Sequence, residues 1–495
     1  MKTQLTISFI TLFILNLISF SQAHKGCGHH LEKDLPNIKL NLHGNENPEI
    51  TKLRYLQTTW QPIRIYLDYT HLDSQTTIDS AKRAGIKQVV EQTKLMYESL
   101  LKVKRLTSKL FIQSCGSAQI SATVKSPGVD ADLILFPHFE PTYSGSIEAA
   151  ATSCAQDQTT GRPLVGYIKY GIDAFNVQKT NWIEYYTDLT FHEISHILVF
   201  NDILWESFID SSGNTIAKTA VTGNQTINGI SRLLIISPKV TAAAQAHFGC
   251  STLKGVELEN QGGEGTSGNH WEMRTMLGDY IIGESFEDVV LSEISLALFE
   301  DSGWYQTNKF TGGQFRHGKN QGCDFVLNKC VISDKTNFPN DFCTENTAYS
   351  CTSGRFTKGS CYMTSAPSNL DSNYNYFSSG LVGGTANADY CPVTRSSFDN
   401  GIFFKQGCAS GVSDLPTGLN EIIGVDSACF YSSIKDSTNI SHQTLPNFTI
   451  CYKFACDDAN RKINVVIGTQ TVSCPTAGGP ITTLIFLFAS SHANL

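Results

Sequence analysis

The chain has no Cys-x-x-Cys pair, although it carries fifteen cysteines in 495 residues. That absence excludes the ligand spacing of zinc ribbons and iron–sulfur sites, and so many thiols without metal pairs make little sense in a reducing cytosol. A disulfide framework built in an oxidising compartment is the reading that remains. Basic runs are missing too. Lys and Arg number 37 against 45 Asp and Glu, a net charge of −8 with no long like-charge block. A dedicated nucleic-acid binder would show a basic stripe, so that class is excluded. Beyond residue 23 no segment reaches the ~18–20 apolar residues of a spanning helix, and there is no internal repeat of fixed period. At roughly 150 residues per domain, the length implies two to four domains.

What is present begins with an export signal. Lys2 gives a positive start, Ile7 to Phe20 is apolar, and Ser21-Gln22-Ala23 supplies small residues for cleavage. Residues 1–23 thus read as a secretory signal peptide. The sequons at Asn224, Asn439 and Asn447 agree with export. At the other end, Thr476-Ala477-Gly478-Gly479 precedes an apolar stretch from Ile481 to Ala489, a candidate lipid-anchor signal within a 476–495 tail. The expected location is secreted, or on the extracellular face of the cell membrane, with the membrane met only through that candidate anchor.

Residues 24–55 are polar, rich in His, Asn and Lys, without a period, and suit a propeptide. From Ile63 to Tyr69 apolar residues alternate as in a strand. Ile86, Val89, Val90, Thr93, Tyr97 and Leu100 then fall at helical spacing within 76–104. Ala131 to Phe136 and Pro163 to Tyr170 are further strands, and Asp188 to Phe200 is a second helix. Residues 286–302 carry another helical pattern, with Gly303 placed to cap it. After about residue 310 the composition shifts. Eleven of the fifteen cysteines lie from Cys323 to Cys474 among Ser, Thr, Asn and Gly, which predicts a loop-rich domain stapled by disulfides.

The chemistry sits in His192-Glu193-Ile194-Ser195-His196. On a helix, positions i and i+4 share a face, so both imidazoles can reach one zinc ion. Glu193, beside the first ligand, can hold the water and take its proton. A third protein ligand is needed. Asp202, six residues after His196, is one candidate, but Val199 occupies the place where short motifs of this kind turn on a glycine, and valine resists positive φ. The stronger candidate is His270, which follows four glycines in the stretch from Gly262 to Gly268 that would give a distant ligand a flexible approach. His138, His247 and His317 have no partner at ligand spacing and read as hydrogen-bonded or solvated side chains.

HEISH, a long insertion, and then VELENQGGEGTSGNHWE resemble the leishmanolysin family of metzincin zinc endopeptidases. AHFGC at 246–250, LALFEDSGWY at 296–305 and GGTANADYCPV at 383–393 are similar to that family as well, over about residues 55–475. The resemblance implies His192, His196 and His270 as ligands of one Zn2+ per chain and Glu193 as general base. It implies an α+β fold: a metzincin-type catalytic region of twisted sheet plus active-site helix, a central insertion, and the disulfide-rich C-terminal domain. The expected segments are an N-terminal catalytic subdomain over 56–200, a central subdomain over 201–310 and the Cys-rich domain over 311–475. Two positions depart from the family: its glycine after HExxH is Val199, and the methionine it places beneath the metal is Ile281, with Met276 nearby out of register. Isoleucine preserves an apolar floor of altered shape.

The activity so implied is hydrolysis of protein or peptide substrates by zinc-activated water, with cell-surface or extracellular-matrix proteins as further candidate partners. A catalytically weak or inactive surface adhesion protein on the same fold is the alternative. The resemblance also includes a propeptide cysteine near Cys27, whose thiolate would hold the enzyme latent in the fourth zinc position. Removing it leaves fourteen cysteines and predicts seven disulfides, with Cys115 and Cys154 paired and Cys250 reaching into the C-terminal group.

Overall fold

The computed structural model describes residues 26–27, 38–42, 52, 55–143, 147–179, 182–263, 265–286, 288–309, 315–345, 350–396, 407–409, 419–432, 448–457 and 462–474. The signal peptide, Asn439, Asn447, the tail from residue 476 and the side chain of Cys27 lie outside the described residues. No helix among the described residues is long and apolar enough to cross a membrane.

A six-stranded mixed sheet organises the N-terminal part. Its members are β1 (Gly26–Cys27), β2 (Ile38–Leu40), β3 (Ile65–Leu67), β4 (Leu133–Glu140), β5 (Ile147–Asp157) and β6 (Pro163–Gly171). The order runs β1-β5-β6-β4-β3, with β2 also on β5. Only the β5–β6 pair is antiparallel. Strands β4 to β6 are buried almost throughout, because both faces of the sheet are covered; their sequences therefore run apolar instead of alternating. β5 (IEAAATSCAQD) escapes pattern reading for that reason. Residues 24–55, which show no period, nonetheless contribute the two short strands that pair parallel with β5.

Helix α1 (Ser80–Leu100) opens at Asp79, whose carboxylate accepts from the backbone N–H of Ala81 (2.6 Å) and Lys82 (3.2 Å). It buries the predicted stripe from Ile86 to Leu100. Helix α2 (Trp182–Leu198) begins six residues before the expected start. It approaches the sheet closely because Gly166 on β6 has no side chain: a Cβ there would stand 2.6 Å from Ile197 Cγ2. Tyr97 of α1 stacks on Phe191 of α2 with ring centroids 4.3 Å apart.

The central part adds the hairpin β7 (Thr222–Ile227) and β8 (Ile230–Ile235), with β9 (Val256–Glu257) joining β8. Asn224 is exposed on β7. Helices α3 (Pro238–Phe248) and α4 (Glu293–Asp301) follow, and Gly303 beyond α4 takes φ +76 as expected of a capping glycine. The Cys-rich part ends in an antiparallel sheet of β10 (Ser427–Ser432), β11 (Phe448–Asp457), β12 (Lys462–Ile467) and β13 (Gln470–Ser473). One continuous core runs from Ile63 to Val393 and includes Cys330, Phe342 and Cys391, so the Cys-rich part is packed into the catalytic region.

Six disulfides form: Cys115–Cys154, Cys250–Cys323, Cys330–Cys391, Cys343–Cys361, Cys351–Cys429 and Cys408–Cys451. The expected 115–154 bridge and the reach of Cys250 into the C-terminal group are both present. Among the described residues no seventh bridge forms. Cys456 and Cys474 stand unbridged because strand pairing separates them: Cys456 lies opposite Ile463 on β12, and the Cys474 N–H donates to the Ile463 carbonyl from the other side. Two strand spacings, roughly 10 Å, exceed the ~7 Å Cα limit for a bridge.

Candidate metal centre

Helix α2 places His192 and His196 one turn apart, and the loop ending at His270 brings the third imidazole to them. All three are buried, and their ligand atoms lie within 4.8 Å of one another. His192 Nε2 is 3.1 Å from His196 Nε2 and 3.2 Å from His270 Nε2. This is the sole cluster of three or more such ligands among the described residues. Asp202 does not join it; its backbone N–H instead donates to Asn269 Oδ1 at 3.0 Å, tying the end of α2 to the residue before His270.

The other ring nitrogen of each histidine points at a backbone carbonyl. His192 Nδ1 is 2.8 Å from Tyr280 O, His196 Nδ1 is 2.7 Å from Phe200 O, and His270 Nδ1 is 2.8 Å from Thr266 O. A carbonyl only accepts, so each Nδ1 carries the proton and each Nε2 presents a lone pair. Three lone pairs turned together in a buried space repel unless a cation lies between them. Two ligands at ~2.05 Å from a tetrahedral zinc stand ~3.3 Å apart, close to the spacing found. The donor set therefore fits zinc.

Local folding supplies the carbonyls. After α2 the N–H groups of Val199 and Phe200 both donate to the Ser195 carbonyl at 2.8 Å, and this tight ending aims Phe200 O at His196. Val199 needs no left-handed turn there. The loop to His270 is closed at its base by Glu259 N–H to His270 O (2.9 Å) and Gly268 N–H to Glu259 O (2.8 Å). Its glycines serve a different purpose from the expected flexibility: Gly262, Gly263 and Gly268 take φ of +77, +78 and +81, left-handed turns that fold the loop back.

Tyr280 and Ile281 occupy a turn set by Asp279. Its carboxylate accepts from Ile281 N (3.0 Å), Ser292 N (3.3 Å) and Ser295 Oγ (2.8 Å), while burial pushes its carboxyl up to about 6. Ile281 is fully buried, and its carbonyl accepts from Trp271 N at 3.1 Å, beside His270. Met276 is buried too, but in the short helical turn that follows His270. Beneath α2, Tyr97 OH, Ser195 Oγ and Tyr280 OH form a chain at 2.7 and 2.8 Å. Glu193 is fully buried. Tyr170, its hydroxyl bonded to Thr190 at 2.7 Å, is held well above the phenol range by burial, with the Glu193 charge adding to the rise.

The remaining histidines behave as read. His138 Nδ1 pairs with Phe136 O at 3.1 Å, His247 Nε2 with His317 O at 2.8 Å and His317 Nε2 with Arg274 O at 2.9 Å. Burial pushes His138 down to about 3 and His247 to about 4. Sequence reasoning missed the three carbonyl partners, since any residue type supplies one.

A helix-borne pair of histidines flanking a buried glutamate, completed by a distant third histidine, defines a zinc-peptidase type of site on this mixed sheet. The family profile described as Leishmanolysin (peptidase M8) matches residues 60–489. A leishmanolysin homolog of Crithidia fasciculata is 28% identical over 382 residues, covering 76% of this chain and 55% of the relative. The leishmanolysin of Leishmania donovani is 27% identical over 413 residues, 80% of this chain and 66% of the relative. A leishmanolysin-like peptidase of Caenorhabditis elegans is 31% identical over 297 residues, 50% of this chain and 45% of the relative. This chain belongs to the leishmanolysin family of metzincin metalloproteases. It spans between about half and two thirds of the length of these relatives.

Proposed function

We propose that the chain is a zinc endopeptidase of protein substrates, with His192, His196 and His270 as the metal ligands and Glu193 as the general base. The observation that carries this reading is the convergence of three Nε2 lone pairs, each fixed by a carbonyl on the far side of its ring. A zinc ion held there supplies Lewis-acid polarisation of the scissile carbonyl and lowers the pKa of water toward ~7.

The protein's own groups do the rest. Glu193 takes the proton of the attacking water as its oxygen bonds to the carbonyl carbon, then delivers that proton to the leaving amine nitrogen as the C–N bond breaks. The three histidines stay neutral and fixed in orientation through their carbonyl partners. Six disulfides fit an oxidising compartment, at the cell surface or outside the cell.

Glu193→Gln tests the assignment. The variant retains stoichiometric zinc and loses casein hydrolysis by a factor of at least ~100, within the range for a lost general base. Full activity in that variant contradicts the mechanism.

A further inference from the structure

The loop that delivers His270 ends in a buried ionic lattice reaching into the Cys-rich part of the chain. The side chains of Arg232 on β8 and of Arg274, four residues after His270, are each 2% exposed. Arg232 Nη2 lies 2.6 Å from Asp389 Oδ2, and its Nη1 lies 3.2 Å from Glu272 Oε2 and donates to Asn260. Arg274 Nε lies 3.3 Å from the same Asp389 oxygen, and its Nη2 lies 2.7 Å from Glu257 Oε1. Asp389 thus touches both guanidiniums, and so does Glu257, whose Oε2 lies 3.5 Å from Arg232 Nε. Through them Asp389 meets both ends of the loop, Asn260 at its start and Glu272 and Arg274 at its close.

Asp389 is itself locked. Its backbone takes φ +54, its carbonyl accepts from Tyr376 OH at 2.8 Å, and its N–H donates to Ala386 O at 2.8 Å. Two residues on, Cys391 is bridged to Cys330. The same region adds Tyr374, whose hydroxyl accepts from Asn260 Nδ2 (3.2 Å) and Gln261 Nε2 (2.9 Å). Neutralising Asp389 leaves Glu257 as the carboxylate shared by two guanidiniums that cannot turn to water, so their mutual repulsion is less fully offset.

We infer that Asp389 is a positioning residue for His270, so that the Cys-rich part of the chain sets the affinity of the metal centre; this rests on the zinc reading above. The catalytic region supplies all three histidines, but the third is held beside the other two with the help of a charge that arrives from 119 positions further along the chain.

The test is zinc affinity, by chelator competition on the full mature protein, for Asp389→Asn and for the milder Arg232→Lys, which keeps the charge but loses the planar fork. Glu421→Gln is the control. Its carboxylate pairs with Lys358 at 2.8 Å within the Cys-rich part, so the variant loses a buried ion pair away from the loop. The two lattice variants bind zinc ~10-fold or more weakly than wild type, as for loss of a ligand's outer partner. Their cobalt-substituted forms lose intensity in the visible bands of four-coordinate metal. Glu421→Gln melts earlier but keeps wild-type zinc affinity and cobalt spectrum. If Asp389→Asn does not fold, Arg232→Lys alone decides. Wild-type affinity and spectrum in the folded lattice variants overturn the inference, as does an equal loss of affinity in Glu421→Gln. A wild-type protein that takes up no zinc contradicts the underlying functional reading instead.

Discussion

His192 and Tyr280, 88 residues apart, share a hydrogen bond in which the imidazole Nδ1–H donates to the tyrosine carbonyl at 2.8 Å. A histidine of the buried cluster on α2 thereby takes its tautomer and ring orientation from a turn in the central part of the chain. The same tyrosine returns to the helix through its hydroxyl, 2.8 Å from Ser195 Oγ. Helix and turn are therefore one unit, and the turn's shape depends on Asp279.

Asp279→Ala removes the acceptor for Ile281 N, Ser292 N and Ser295 Oγ. The expected cost is about 3 kcal/mol of stability, since hydrogen bonds to a buried charged acceptor are lost together. Zinc affinity falls ~10-fold as the Tyr280 carbonyl drifts from His192. Chemical denaturation and chelator competition on the same variant check both.

His270→Ala lowers zinc affinity by more than the ~10–100-fold that loss of an outer partner costs, whereas Asp202→Ala leaves it near wild type. Metal titration of the two variants distinguishes the ligand sets. The reverse order would restore Asp202 as the third ligand.

Ile281→Met swaps residues of similar volume at a fully buried site. The change costs less than about 1.5 kcal/mol and leaves zinc binding intact, as thermal melting and metal analysis will show.

His138 is fully buried and stacked on His71 at 4.2 Å, with Lys169 and Glu140 nearby. Burial holds it at about 3, far below the ~6.5 of an unfolded chain, so between those values the unfolded state binds more protons. Stability is fully present above about pH 6.5 and falls as the pH drops toward 3. His138→Gln flattens that slope in melting temperature against pH; an unchanged slope assigns the effect elsewhere.

Mature protein yields two free thiols, not none. Cys456 is exposed and labels first; Cys474 is half-buried, its thiol pushed up by burial, and labels more slowly. Denatured and native thiol counts measure both.

Much of this architecture was readable in the residues because it rests on local periodicity. The register of α1 and the pairing of His192 with His196 follow from spacing along one element, and the strands β4 and β6 follow from short apolar runs. His270 was within reach only through the glycine loop and the family resemblance, because nothing local tells which distant histidine closes a site. What could not be read depends on groups without a residue signature or on long-range pairing. The carbonyls of Phe200, Thr266 and Tyr280 are of the first kind. Asp389, meeting Arg232 from 157 residues away, is of the second. The missing seventh bridge belongs with them, since an even count of cysteines says nothing of the strand lying between Cys456 and Cys474.

The proposed activity depends on three carbonyl-oriented histidines holding one catalytic zinc. It is tested most directly by measuring metal content and peptide hydrolysis on one sample of mature wild-type protein, before and after chelation. The expected result is one zinc per chain, hydrolysis of casein, loss of both on chelation and recovery of both on adding zinc back. Protein that carries no zinc, or that cleaves casein equally well without it, would contradict it.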